Sequence, residues 1–195
     1  MLAIDRPVAS YMSTHTRPLG LLRWTVELHR WADEVSLVVI VSCALLAAAT
    51  PRHRPRRAGP TATLFLTACT VIVTRAVKDQ LQLAFGRTWP ETWVDDNPSF
   101  IRDHVFRFDF FRGGEGFSSF PSGTTATITA MFAVLWFWHP RGRIVYATVI
   151  GLVVATLITS DFHFVSDIIA GGFIGMSAGW FAIELWDAWG PAEPT

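Results

Sequence analysis

The sequence predicts an all-α integral membrane bundle of about five transmembrane helices, preceded by helices that lie in the membrane interface. Three observations carry this. The 195 residues are 51% hydrophobic and only 16% charged, and their mean hydropathy is +0.35, too apolar for a soluble domain of this size. Five apolar stretches approach the roughly 20 residues that a helix needs to cross a hydrocarbon core of about 30 Å. The loops between them differ in arginine content, as loops on opposite membrane faces do.

In chain order the stretches are 35–50, 60–77, 122–139, 144–162 and 165–186. Each must be helical, because a spanning segment has to satisfy its own backbone polar groups. Residues 4–32 mix Asp5, Arg6, Arg17, Arg23, Glu27 and Arg30 with apolar residues, so 1–34 is expected to form amphipathic helices on the interface rather than a sixth span. The first twenty residues lack the uncharged core and small-residue cleavage site of a secretory signal. The whole chain, 1–195, is expected to be one membrane domain.

Orientation follows from arginine. Loop 51–59 holds Arg52, Arg54, Arg56 and Arg57, and the turn 140–143 holds Arg141 and Arg143; both are expected in the cytoplasm. Loop 86–119, with six carboxylates against four arginines, then lies outside, and 187–195 returns inside. In a bacterium this corresponds to the inner membrane with loop 86–119 facing the periplasm. A net charge of zero gives no sign of a nucleic-acid partner. Cys43 and Cys69 lie in apolar runs and indicate nothing about redox compartment.

Three constellations meet at the outer ends of the spans: KDQLQLAFGRTWP at 78–90, FPSGTT at 120–125 and DFHFVSD at 161–167. Ionisable groups at membrane depth point to function. Ser122 and Gly123 open a helix after Pro121, leaving free amide N–H groups backed by the helix dipole, where an anion can sit; the plainer alternative is a serine N-cap. His163 and Asp167, four apart, share a helix face, so the carboxylate can orient the imidazole for nucleophilic or general-base work. In the competing reading His163 is an interfacial ring and Asp167 a cap. Lys78, the only lysine, and Arg87 suit a phosphate, or snorkel to head groups. No second His or Cys stands at ligand spacing from His163, so neither metal nor other cofactor is expected.

In this order the three constellations resemble the type 2 phosphatidic acid phosphatase family, whose pattern is K-x6-RP, PSGH and SR-x5-H-x3-D. The resemblance implies a metal-independent phosphatase acting on a lipid or isoprenoid phosphate or pyrophosphate at the outer face. It assigns His163 as the nucleophile that forms a phospho-histidine, Asp167 as its orienter, and Ser122 and Gly123 as part of the phosphate cradle, which Lys78 and Arg87, off the motif positions, can join by reach. The departures fall on residues that carry charge or protons. Gln82 and Trp89 stand where Lys and Arg are expected, Thr156 and Leu157 where Ser-Arg is expected, and Thr124 replaces the histidine that protonates the leaving group. A missing general acid typically costs about 10²–10⁴-fold. Asp161, Arg102, Arg107 and Arg112 are further candidates to line the site, and His104 is the substitute acid. The alternative function is a weak or inactive member that binds or helps to translocate a phospholipid. Gly171, Gly175 and Gly179 predict close helix packing, the Trp residues an interfacial belt, and FRFDFF and GGEGF a cover over the site.

Overall fold

The computed structural model describes residues 2–16, 22–49, 59–93 and 96–189. Among them the chain is helical, with strand geometry limited to isolated bridges in the long loop. The helices are α1 (Leu2–His15), α2 (Leu22–Ala49), α3 (Pro60–Phe85), the single turn α4 (Phe100–Asp103), α5 (Gly123–Trp138), α6 (Arg143–Thr159) and α7 (Val165–Trp189). The α3 region, 140–159 and α7 contain segments long and apolar enough to cross a membrane, and α5 and Glu34–Leu46 of α2 are shorter apolar helices. These are the five stretches read from the sequence, and the integral membrane bundle stands. Most of the arginine-rich loop 51–59, and 190–195 of the C-terminal tail, fall outside the described residues.

One boundary differs from expectation. The break near residue 34 is absent, and α2 runs unbroken from Leu22 to Ala49. The segment contains neither Pro nor Gly, so nothing stops the helix; its 28 residues extend about 42 Å, beyond a hydrocarbon core. Only α1 is a separate helix ahead of the spans. It lies across the ends of α6 and α7: the Thr16 hydroxyl donates to the Thr159 carbonyl at 2.8 Å, and Asp5 accepts from the Ser166 amide at 2.9 Å.

The centre of the bundle is α5, whose residues from Gly123 to Ala130 are all buried. The glycine stripe on α7 is what lets α7 approach it. A Cβ at Gly171 would stand 2.4 Å from the Ser122 carbonyl oxygen, and one at Gly175 2.4 Å from that of Ala126. This close seam fixes the start of α7 against the start of α5, where the Ser122 amide donates to the Asp167 carbonyl at 3.0 Å. Apolar packing continues below, with Ile128, Val153, Leu157 and Ile168 buried together under the site and Leu66, Val134 and Ile183 further along.

Gly86 ends α3 in the left-handed conformation at φ 55°. A side chain there is excluded, since a Cβ would lie 1.9 Å from the Asp109 carbonyl oxygen. The turn sends Arg87 into the interior, and the loop folds back over it through bridges to Phe108 and Ser118.

Candidate active site

The start of α5, the turn before α7, the end of α3 and the long loop line an open cavity of about 520 Å³. Its lining includes Lys78, Asp79 and Gln82 from α3, Gly123 and Thr124 from α5, His163 and Phe162 from the turn before α7, and Trp89, Gly114, Glu115 and Ser118 from the loop. The structure therefore brings Lys78, Gly123, Thr124 and His163 together from all three sequence constellations. The GGEGF segment borders the cavity as a cover would, whereas FRFDFF turns partly outward, with Phe110 and Phe111 exposed.

Gly123 and Thr124 are the first residues of α5, so their amides lack intrahelical acceptors and the helix dipole is positive there. Gly123 also leaves room for the only lysine: a Cβ would meet the Lys78 Cδ at 2.9 Å. The Lys78 ammonium pairs with Asp79 at 2.5 Å. Ser122 takes another role. It is fully buried, caps α5 by accepting from the Thr125 amide, and its own amide is engaged by Asp167.

His163 is buried with its ring against Trp89, the centroids 5.0 Å apart. Its Nδ1 lies 3.7 Å from Asp167 Oδ2, beyond hydrogen-bond length, and makes no hydrogen bond. A buried donor left unmatched costs about 1–3 kcal/mol, so a small ring rotation that closes this gap is favoured, as often happens when substrate enters a site. The other ring nitrogen, Nε2, is then free to act as nucleophile.

Asp167 is held from every side. Its Oδ2 accepts from the Ser119 hydroxyl at 2.7 Å and from the Phe164 amide at 3.0 Å, and its Oδ1 from the Arg87 guanidinium. Arg87 is 1% exposed and does not line the cavity. It also donates to Asp5 at 2.8 Å and to the Ser166 hydroxyl at 2.6 Å, and its guanidinium stacks near the rings of Phe106, Phe108 and Phe164. This arginine braces the carboxylate behind the histidine and is not positioned to hold a phosphate in the cavity.

The motif substitutions have definite places. Gln82 donates to the Pro121 carbonyl at 3.1 Å, tying α3 to the turn that opens α5. Trp89 fills one wall and donates to the Glu115 carbonyl at 2.8 Å. Thr156 returns its hydroxyl to the Leu152 carbonyl, and Leu157 is fully buried in the core. Of the further candidates, Arg102 pairs with Asp96 and Asp103, and Arg107 and Arg112 pair with Asp109. His104 is exposed, caps α4 and lies outside the cavity lining. Sequence reasoning passed over Asp5, Ser119 and Ser166, whose hydroxyl and carboxylate groups only acquire meaning once distant segments meet.

Asp161, in the turn between α6 and α7, is buried, and this burial together with the nearby Glu91 carboxylate pushes its carboxyl up to about 7. Its folded value thus exceeds the unfolded one near 3.9, and the folded state binds the proton more tightly between the two. Stability is expected to fall as pH rises from about 4 to about 7 and to level off above. Asp161→Asn should flatten that slope and exceed the parent in stability at about pH 8; coincident melting curves for the two proteins across this range would refute the assignment.

The sequence pattern of the PAP2 superfamily matches residues 60–191. This chain belongs to the PAP2 superfamily. Lipid A 1-phosphatase of Rhizobium etli is 32% identical over 114 residues, 58% of this chain and 45% of that protein. Lipid A 1-phosphatase of Rhizobium johnstonii is 31% identical over 114 residues, 58% of this chain and 43% of that protein. The chain thus spans less than half the length of these relatives. The crystal structure of a transmembrane PAP2 type phosphatidylglycerolphosphate phosphatase from Bacillus subtilis has the same fold, with a TM-score of 0.54 at 16% identity over 99% of this chain and 89% of that one. The cavity lies within the matched region.

Proposed function

We propose that this PAP2 protein is a slow, metal-independent phosphatase that acts on a lipid or isoprenoid phosphate or pyrophosphate at the outer face of the inner membrane. The observation that carries this reading is that His163 lines the same cavity as Lys78, Gly123 and Thr124. His163 Nε2 attacks phosphorus and the bond to the leaving oxygen breaks, giving a phospho-histidine; the leaving oxygen takes its proton from water, because Thr124 is no acid at neutral pH. Water then cleaves the phosphorus–nitrogen bond, releasing phosphate and restoring the imidazole. The α5 amides and Lys78 hold the anion. The arginines of loop 51–59 and of the 140–143 turn support the outward orientation.

A second reading, binding or translocation of a phospholipid without turnover, is favoured by one feature. The cavity carries a single Lys against Asp79 and Glu115, and Trp89 occupies the wall where the family places Arg. A phosphate dianion is therefore weakly neutralised there.

Spheroplasts given a membrane-impermeant aryl phosphate decide between these readings. Slow release of the phenol is expected without permeabilisation, and its loss in His163→Ala. Binding of a lipid phosphate with no release by the parent chain favours the second reading, and release only after permeabilisation reverses the orientation.

A further inference from the structure

Behind His163 lies an ion cluster that is larger than the pair of residues four apart in sequence. Asp5 of α1 is 1% exposed, and three groups hold its carboxylate: the Ser166 amide at 2.9 Å, the Ser166 hydroxyl at 2.5 Å and the Arg87 guanidinium at 2.8 Å. Arg87 bonds Asp167 with its other terminal nitrogen. Asp5 stands outside the residues 60–191 that match the family, on a helix whose remaining charged face is exposed.

The charge count gives Asp5 a purpose. A guanidinium is ionised at all ordinary pH, so Arg87 and Asp167 alone would cancel, and His163 would face a neutral pair. With Asp5 the cluster sets two carboxyl groups against one guanidinium, so Arg87 is shared between them and is not given to Asp167 alone. A histidine that becomes phosphorylated or protonated carries positive charge, and in a site of low dielectric that charge is stabilised by a fixed negative neighbour. The Ser166 contacts add position to charge, because they tie α1 to the first turn of α7, on which Asp167 stands.

We infer that Asp5 is a positioning residue of the site: by taking up the charge of Arg87 and anchoring Ser166, it keeps the carboxylate of Asp167 available to His163. This rests on His163 being the nucleophile. Asp5 is not among the residues that line the cavity, so its effect falls on the reactivity of His163 and not on substrate binding.

Asp5→Asn keeps the shape and removes the charge. Two readouts are taken on the full chain in micelles: the rate of His163 carbethoxylation by diethyl pyrocarbonate, followed by mass spectrometry of its peptide, and kcat and KM for an aryl phosphate. We expect Asp5→Asn to slow acylation and lower kcat by about tenfold each, a coupling ordinary for groups in one buried network, with KM within about twofold, and Asp5→Glu to recover much of the loss. An acylation rate equal to that of the parent overturns the inference. If Asp5→Asn does not fold, Ser166→Ala, which removes the hydroxyl that donates to Asp5 and keeps the backbone amide, is measured in its place; slower acylation supports the inference, and a parental rate overturns it. A parent chain that releases no phosphate, while Asp5→Asn still slows acylation, refutes the proposed hydrolysis and leaves this inference standing.

Discussion

Thr124→His is expected to raise phosphate release by about 10²-fold or more, the usual contribution of a well-placed general acid. Thr124 lines the cavity that contains His163, so on the proposed mechanism an imidazole at 124 reaches the same cavity and can protonate the leaving oxygen as the phosphorus–oxygen bond breaks. The gain should depend on the leaving group. An alkoxide needs the proton most and a phenolate or a phosphate least, so a simple lipid monophosphate should gain more than an aryl phosphate or a pyrophosphate. Steady-state rates on such a series, for the parent and the variant, check this. A rapid parental rate on the lipid monophosphate with no gain in the variant would mean that another group supplies the proton. His104 is poorly placed to be that group, and Glu115, on the cavity wall, becomes the next residue to replace.

The second large effect concerns Arg87. Arg87→Ala should lower the stability of the bundle by about 3–5 kcal/mol, the cost of breaking a buried ion pair from one side. The side chains of Asp5 and Asp167 are 0% exposed, so neither carboxylate can recover water when the guanidinium is gone, and the rings of Phe106, Phe108 and Phe164 lose the cation they surround. Arg87→Lys should recover only part, since an ammonium is a point donor and cannot fork between two carboxylates and a hydroxyl. Denaturation in mixed micelles measures the difference. A stable Arg87→Ala protein whose only defect is weak phosphate affinity would return this residue to the ligand role expected from its sequence position.

That contrast marks how far the sequence could be read. Hydropathy and span length suffice to locate the five apolar helices, because the bilayer imposes one length and one hydrogen-bonding solution on every span. The glycine stripe announces a close helix contact on α7, and the structure supplies α5 as the partner. The cavity group of Lys78, Gly123, Thr124 and His163 follows from motifs at the same ends of neighbouring spans. What stayed hidden depends on long-range partners. Arg87 reads as a free cation until the fold supplies Asp5 and Asp167, and Asp5 reads as one charge among several on an amphipathic helix. Ser122 likewise has an anion-binding position by pattern, yet its amide is already committed to the Asp167 carbonyl. The helix break expected near residue 34 failed because a change from charged to apolar composition is not itself a stop signal when Pro and Gly are absent.

The docking of α1 across α6 and α7 also bears on the order in which the protein is made. The contacts between Asp5 and Ser166 join residues 161 apart in the chain, so α1 can dock only after α7 has been inserted. Until then Arg87, which follows α3, lacks Asp167, and Asp5 lacks Ser166. Assembly of this end of the bundle therefore waits on α7, and in a chain interrupted before that helix Arg87 would lack Asp167, the partner it supplies.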